Sequence, residues 1–326
     1  LKLIACILLS LITSLAGQGN AKNPITGNSV ILDLHLIGVK PKGNFETLII
    51  PIKRVDRLLL IEARIDTMQG NFIIDTGAPD LILNHTYFRK YWVSSDAITS
   101  NVGGIPSGPV KNTWIDQLEI RELRFERIKA RLTELSHIEN RSSVKILGLL
   151  GVDIFREFSM TIDLQKNILV LKKLDKKGNE LSNLESPVTP KMMKIPVRIV
   201  NSTIMLQGVV AGKKLNLCLD SGAETNVING NVSDKVLKKF TLARRSVLLG
   251  TGGAKVEVLV GRLDDFTIGS MNLSNLPTVI SNLEDFGNAT EQQIDGMVGF
   301  EFLNKGIICI NFRKKELTVY AFQDLN

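Results

Sequence analysis

Three histidines and three cysteines in 326 residues leave little material for a multi-ligand zinc site and rule out a disulfide-dense scaffold. Aromatic residues make up only 6% of the chain, which argues against a surface that stacks nucleic-acid bases. No uninterrupted apolar run reaches the roughly 20 residues that a membrane-spanning helix needs. What the chain does have is apolar material. It is 44% hydrophobic and 22% charged, enough to bury a large core. Its length predicts about two domains. A net charge of +7 favours anionic surroundings such as a cell envelope but names no partner.

The first residues read as a targeting segment. Leu1–Ala16 is LKLIACILLSLITSLA, with Lys2 as a minimal basic start and an apolar stretch from Leu3 to Leu15. Ser14-Leu15-Ala16 and Gly19-Asn20-Ala21 both place small residues where a signal peptidase cuts. A core helix is the competing reading, but the polar GQGNAKNP follows directly. The expectation is a signal peptide over residues 1–21 and a secreted or periplasmic protein, with no integral membrane segment after cleavage. Cleavage removes Cys6. Cys218 and Cys309 lie in apolar runs and are expected to be buried free thiols.

The chain contains one pattern twice. Ile50-Pro51-Ile52 falls on Ile195-Pro196-Val197 at an offset of 145, and so does Phe72-Ile73-Ile74-Asp75-Thr76-Gly77-Ala78 on Leu217-Cys218-Leu219-Asp220-Ser221-Gly222-Ala223. At an offset of 148, Gly148-Leu149-Leu150-Gly151 falls on Gly296-Met297-Val298-Gly299, and Ile162–Leu169 on Ile310–Leu317. A period this long means a duplicated lobe. Within each copy, short apolar runs such as LLLIEARI, ILVLKK, KVEVLVG and GIICINF are bounded by Gly, Asn, Asp and Pro, as strands are. Helical signals are few: Val232–Phe240 and a turn at Val152–Glu157. Ser29–Val39 reads as one further strand. The predicted architecture is all-β, with two lobes related by a pseudo-two-fold and a cleft between them. The expected boundaries are 22–172 for the first lobe, 173–194 for a polar linker and 195–326 for the second lobe.

Asp75-Thr76-Gly77-Ala78 and Asp220-Ser221-Gly222-Ala223 each follow an apolar strand. One such triplet is an ordinary turn, with Asp bonding the backbone and Gly supplying conformational freedom. Two at the same place in a duplicated lobe are far more specific. Each is followed 76 to 79 residues later by an apolar-apolar-Gly triplet, Leu149-Leu150-Gly151 or Met297-Val298-Gly299. Two carboxyl groups beside one water cannot both ionise easily. They share a proton, and one serves as general base while the other serves as general acid. Thr76 and Ser221 offer hydroxyls that can lock the two loops together. Gly77 and Gly222 remove Cβ where backbone must approach the carboxylates.

On these motifs the sequence resembles the aspartic peptidases of the pepsin and retropepsin group over roughly residues 48–320. Each half is closer to the short retropepsin pattern, and the whole is similar to bacterial secreted aspartyl-protease families. The resemblance implies a one-chain endopeptidase acting as a monomer on a peptide or protein substrate. It implies Asp75 and Asp220 as catalytic residues, no metal, no organic cofactor and no nucleic-acid partner. It also implies mobile hairpins closing over the substrate, and Gly103-Gly104 and Gly252-Gly253 fall where their tips would be. The first hairpin lacks the Tyr usual in pepsin-like enzymes.

Other signals are set aside. Gly250–Lys255 lacks the Gly-Lys-Ser/Thr ending of a phosphate loop. His35, His85 and His137 are isolated, and no G-x-S-x-G elbow accompanies them. Arg121–Arg127 mixes both signs and reads as a solvated face. Two rivals stay open at this point: a non-catalytic peptide-binding protein on the same fold, and a dyad assembled between two chains.

Overall fold

The computed structural model describes residues 40–93, 98–102, 105–182, 192–249, 255–283 and 293–322. The expected signal peptide and the Ser29–Val39 strand lie outside these residues. Strands dominate the rest, because β-branched and leucine-rich runs alternate with turn residues. Leu58–Ile65 shows the pattern: only Glu62 and Arg64 are exposed, and the other six residues are buried.

Three sheets form. The first half builds an eight-stranded sheet and the second half a ten-stranded one. At the centre of each lies the same arrangement. Ile146–Leu150 runs parallel to Met68–Ile74, with Phe72 opposite Gly148 and Ile74 opposite Leu150, and antiparallel to Leu81–Asn84. In the second half, Gly296–Val298 runs parallel to Lys213–Leu219, with Leu217 opposite Gly296, and antiparallel to Asn226–Asn229. The strand holding each apolar-apolar-Gly triplet is thus threaded between the strands before and after its Asp loop. Left-handed backbone recurs at matching positions too: Asp56 and Asn201, Asp66 and Ala211, Asn167 and Lys315.

The third sheet joins the halves. Its six strands lie in the order Thr47–Pro51, Ile168–Lys173, Phe158–Asp163, Gly306–Asn311, Glu316–Ala321, Met192–Pro196. At the middle, Met160 pairs with Ile310 and Ile162 pairs with Ile308. An offset of 148 exchanges these two pairs and leaves Thr161 opposite Cys309 on the axis. The all-β architecture with pseudo-two-fold lobes is therefore what the backbone adopts.

Departures from the sequence reading are local. The helix expected over Val232–Phe240 is only Asp234–Leu237, because Phe240 opens the strand Phe240–Leu249. The turn at Val152 is the short helix Val152–Phe155. A seven-residue helix, Ser136–Ser142, had no apolar periodicity to announce it; Ile138 is its one buried residue. Leu174 bridges to Glu180, and Met192–Lys194 already belong to the six-stranded sheet. Arg121–Arg127 lies at a hairpin turn: Leu123 and Phe125 point inward and the charged residues outward. Cys218 and Cys309 are both free, Cys218 buried and Cys309 partly so.

The threaded strands leave no room for side chains at their glycines. A Cβ on Gly148 would sit 2.2 Å from the Ile82 carbonyl oxygen, and one on Gly296 would sit 2.5 Å from that of Val227. Both clashes are with backbone. Gly148→Ala and Gly296→Ala are expected to destabilise by about 3 kcal/mol or more. Gly212→Ala, at a left-handed turn with open space around it, should cost only about 1 kcal/mol. Thermal unfolding of the three variants checks the ranking.

Candidate active site

Each Asp loop is a turn closed on its own carboxylate. The Gly77 and Ala78 N–H groups donate to Asp75 Oδ1 at 2.9 and 3.0 Å. The Gly222 and Ala223 N–H groups donate to Asp220 Oδ1 at 2.8 and 3.2 Å. The threaded strand fixes each turn from beneath. Asp75 N–H donates to the Leu150 carbonyl and Asp220 N–H to that of Val298, both at 3.0 Å. Val152 N–H and Phe300 N–H then donate to the carbonyls of Ala78 and Ala223, both at 2.9 Å. This is why the apolar-apolar-Gly triplet travels with the Asp motif.

The two loops meet across the pseudo-two-fold. Thr76 N–H donates to Ser221 Oγ at 2.9 Å, and Ser221 N–H donates to Thr76 Oγ1 at 2.8 Å. Each hydroxyl also donates its own hydrogen: Thr76 Oγ1 to the Leu219 carbonyl at 2.9 Å, and Ser221 Oγ to that of Ile74 at 2.8 Å. All four groups are buried. The two Asp loops, which the two-chain alternative would place in different molecules, are in contact within this one chain.

Gly77 and Gly222 lie against the carboxylate of the opposite half. A Cβ on Gly77 would fall 2.5 Å from Asp220 Cγ, and one on Gly222 would fall 2.9 Å from Asp75 Cγ. Each glycine thus serves two carboxylates, donating its N–H to one and leaving space for the other. Asp75 and Asp220 are both 1% exposed and within hydrogen-bonding reach of each other. Their Oδ2 atoms are buried and accept no N–H or O–H from any described group. A proton shared by the pair would satisfy both.

Burial raises both carboxyls. For Asp75 it outweighs the hydrogen bonds from Asp220, Gly77 and Ala78, and the group is pushed up to about 6. For Asp220 burial acts together with repulsion from Asp75, and the group lies well above the usual carboxylate range. Both directions favour a proton held by the pair over two bare carboxylates. Cys218, two residues earlier, is held protonated mainly by burial and then by these neighbouring carboxylates. It packs among Met205, Ala223, Val227 and Met297 as a core side chain.

Of the residues singled out by sequence, Asp75, Thr76, Gly77, Asp220, Ser221 and Gly222 come together here. Gly103, Gly104, Gly252 and Gly253 lie outside the described residues. The strands leading to them are paired, Val102 with Ile105 and Leu249 with Lys255. Sequence reasoning missed Asn226, whose Oδ1 accepts from Gly299 N–H at 2.9 Å and so ties the threaded strand to the strand after the Asp loop. It also missed charged contacts across the halves at Arg57, Arg141, Glu224 and Glu301.

A protein-family model described as aspartyl protease matches residues 206–302. The matched segment lies within the second repeat and contains Asp220-Ser221-Gly222 and Met297-Val298-Gly299. No curated protein matches the chain.

Two outcomes are expected. Thr76→Val keeps the side-chain shape but leaves Ser221 N–H and the Leu219 carbonyl unpaired, at a cost of about 2–4 kcal/mol; Thr76→Ser should cost under about 1 kcal/mol. Denaturant unfolding measures both. The second concerns charge. A carboxyl raised in the folded state contributes stability that is complete below its unfolded pKa and is lost as pH climbs through the folded value. For Asp75 that window runs from the ordinary carboxylate range up to about 6. Asp75→Asn removes the loss, so it should be more stable than the parent at pH 7, by on the order of 2 kcal/mol. The difference should vanish near pH 4. Melting curves at the two pH values decide it.

Proposed function

We propose that this chain is an aspartic endopeptidase that hydrolyses peptide bonds with a water activated by Asp75 and Asp220. The observation that carries the reading is the buried carboxyl pair, locked by Thr76 and Ser221 and poised to hold a single proton. A similarity of residues 206–302 to aspartyl proteases supports it.

In this reading ionised Asp75 takes a proton from the water as its oxygen attacks the scissile carbonyl carbon. Protonated Asp220 gives its proton to the carbonyl oxygen. The tetrahedral diol then collapses: Asp75 gives the proton it took from water to the departing nitrogen as the C–N bond breaks, and a diol hydroxyl returns a proton to Asp220, so the carboxylic acid product leaves and the starting state is restored. Both acid and base stay fixed while the charge moves, so little reorganisation accompanies the step. The backbone donors at Oδ1 hold each carboxylate with Oδ2 directed to the shared position. An extended substrate would lie along the loops and pair strand-like with the hairpins that carry Gly103-Gly104 and Gly252-Gly253. We further propose a monomer, exported by the segment over residues 1–21, and acting without metal or organic cofactor.

Peptide cleavage tests the proposal. Asp75→Asn and Asp220→Asn should each lower kcat by on the order of a thousandfold or more, with the fold retained. The wild-type pH–rate profile should be bell-shaped. Its acid limb follows protonation of Asp75 near 6. Its alkaline limb follows proton loss from Asp220. Binding of peptides without turnover in the wild type would instead establish a peptide-binding protein on this fold.

A further inference from the structure

Charged contacts between the halves break the symmetry of the duplication. Position 57 corresponds to 202, and 153 to 301, at the offsets of 145 and 148. The equivalent contacts both exist: Arg57 Nη1 meets Glu301 Oε1 at 2.7 Å, and Ser202 Oγ donates to Asp153 Oδ1 at 2.8 Å. Duplication has kept the acid and replaced the cation by a hydroxyl on one side. Arg57 does more than its counterpart. Its Nη1 also donates to the Glu224 carbonyl at 3.0 Å, and its guanidinium lies 5.8 Å from the centre of the Phe300 ring.

Glu224 is the residue directly after the Asp220–Ala223 turn. Its counterpart is Pro79, which carries no charge. Glu224 is 7% exposed. Arg141, from the helix Ser136–Ser142 of the first half, grips its carboxylate two-pronged: Nη1 donates to Oε2 at 2.8 Å and Nη2 to Oε1. The Asp75 loop is held differently, from within its own half. Arg131 Nε donates to Asp80 Oδ1 at 2.7 Å. One Asp loop is thus anchored at home, and the other by the opposite lobe.

We propose that Arg141, with Arg57 beside it, is a positioning residue for Asp220: by fixing Glu224 it holds the Gly222 and Ala223 N–H groups against the Asp220 carboxylate. The physical reason is the cost of a buried carboxylate without a partner. Without the guanidinium, Glu224 gains by turning toward water. A turn that carries the Glu224 backbone with it passes directly to Ala223, to which it is bonded. A two-pronged ion pair also fixes direction, which a single contact does not. A shift on the order of 1 Å in a reacting group lowers rate strongly while leaving substrate affinity nearly unchanged. The catalytic part of this inference rests on the peptidase reading; the positional part does not.

Amide hydrogen exchange and peptide kinetics on the full chain test it together. Arg141→Gln should speed exchange at Gly222 and Ala223 by roughly tenfold or more while Gly77 and Ala78 stay protected. The same variant should lower kcat by about tenfold, with KM changed less than about twofold. Arg141→Lys should fall between the two proteins, and should serve alone if Arg141→Gln does not fold. Adding Glu224→Gln to Arg141→Gln removes the unpaired carboxylate and should restore much of the protection. Unchanged exchange at Gly222 and Ala223, or equal loosening at Gly77 and Ala78, would overturn the proposal. A wild type that cleaves no peptide, with the exchange pattern as expected, would remove the peptidase reading and leave the positioning role standing.

Discussion

Two carboxyl groups buried side by side govern the centre of this molecule. At an effective dielectric of 20, two unit charges about 4 Å apart repel by about 4 kcal/mol, and burial adds to that. The fold relieves this in three ways. Burial raises both groups, which favours one proton held by the pair over two bare carboxylates. Two backbone N–H groups converge on Oδ1 of each. The absence of Cβ at Gly77 and Gly222 lets each loop come close to the other's carboxylate. The Thr76–Ser221 exchange of hydrogen bonds then keeps the loops from separating under the remaining repulsion.

The rest of the chain serves that meeting. Each threaded strand supports one loop, and the six-stranded sheet holds the two halves in register about the axis through Thr161 and Cys309. Because the halves came from one pattern, the core and the loops stay symmetric. The outer contacts are free to diverge. Pro79 carries no charge, whereas Glu224 needs a cation and finds Arg141 in the other lobe. Near-identical motifs thereby come to sit in unequal surroundings.

Much of this was legible in the residues because the relevant patterns are short. Runs such as ILVLKK and LLLIEARI became strands over the same residues, since alternation and β-branching act locally. The pairing of the two Asp loops was legible because duplication repeats a local motif, and repetition is detectable without structure. What escaped depends on distant pairing. Glu224 meets Arg141 across 83 positions, and Arg57 reaches the Glu224 carbonyl across 167, with no spacing rule to announce either. Helix Ser136–Ser142 escaped because it buries only Ile138 and so shows no apolar stripe. Val232–Phe240 looked helical by composition, yet pairing with Lys255–Leu263 drew Phe240 into a sheet.

The central claim is that Asp75 and Asp220 share one proton inside a single chain. Neutron diffraction from crystals grown in heavy water at neutral pH tests it most directly. The account predicts one deuteron between the two carboxyl groups, held nearer Asp220, with their Oδ2 atoms both facing that position. Two bare carboxylates, a deuteron on each, or oxygens directed into separate pockets would contradict it.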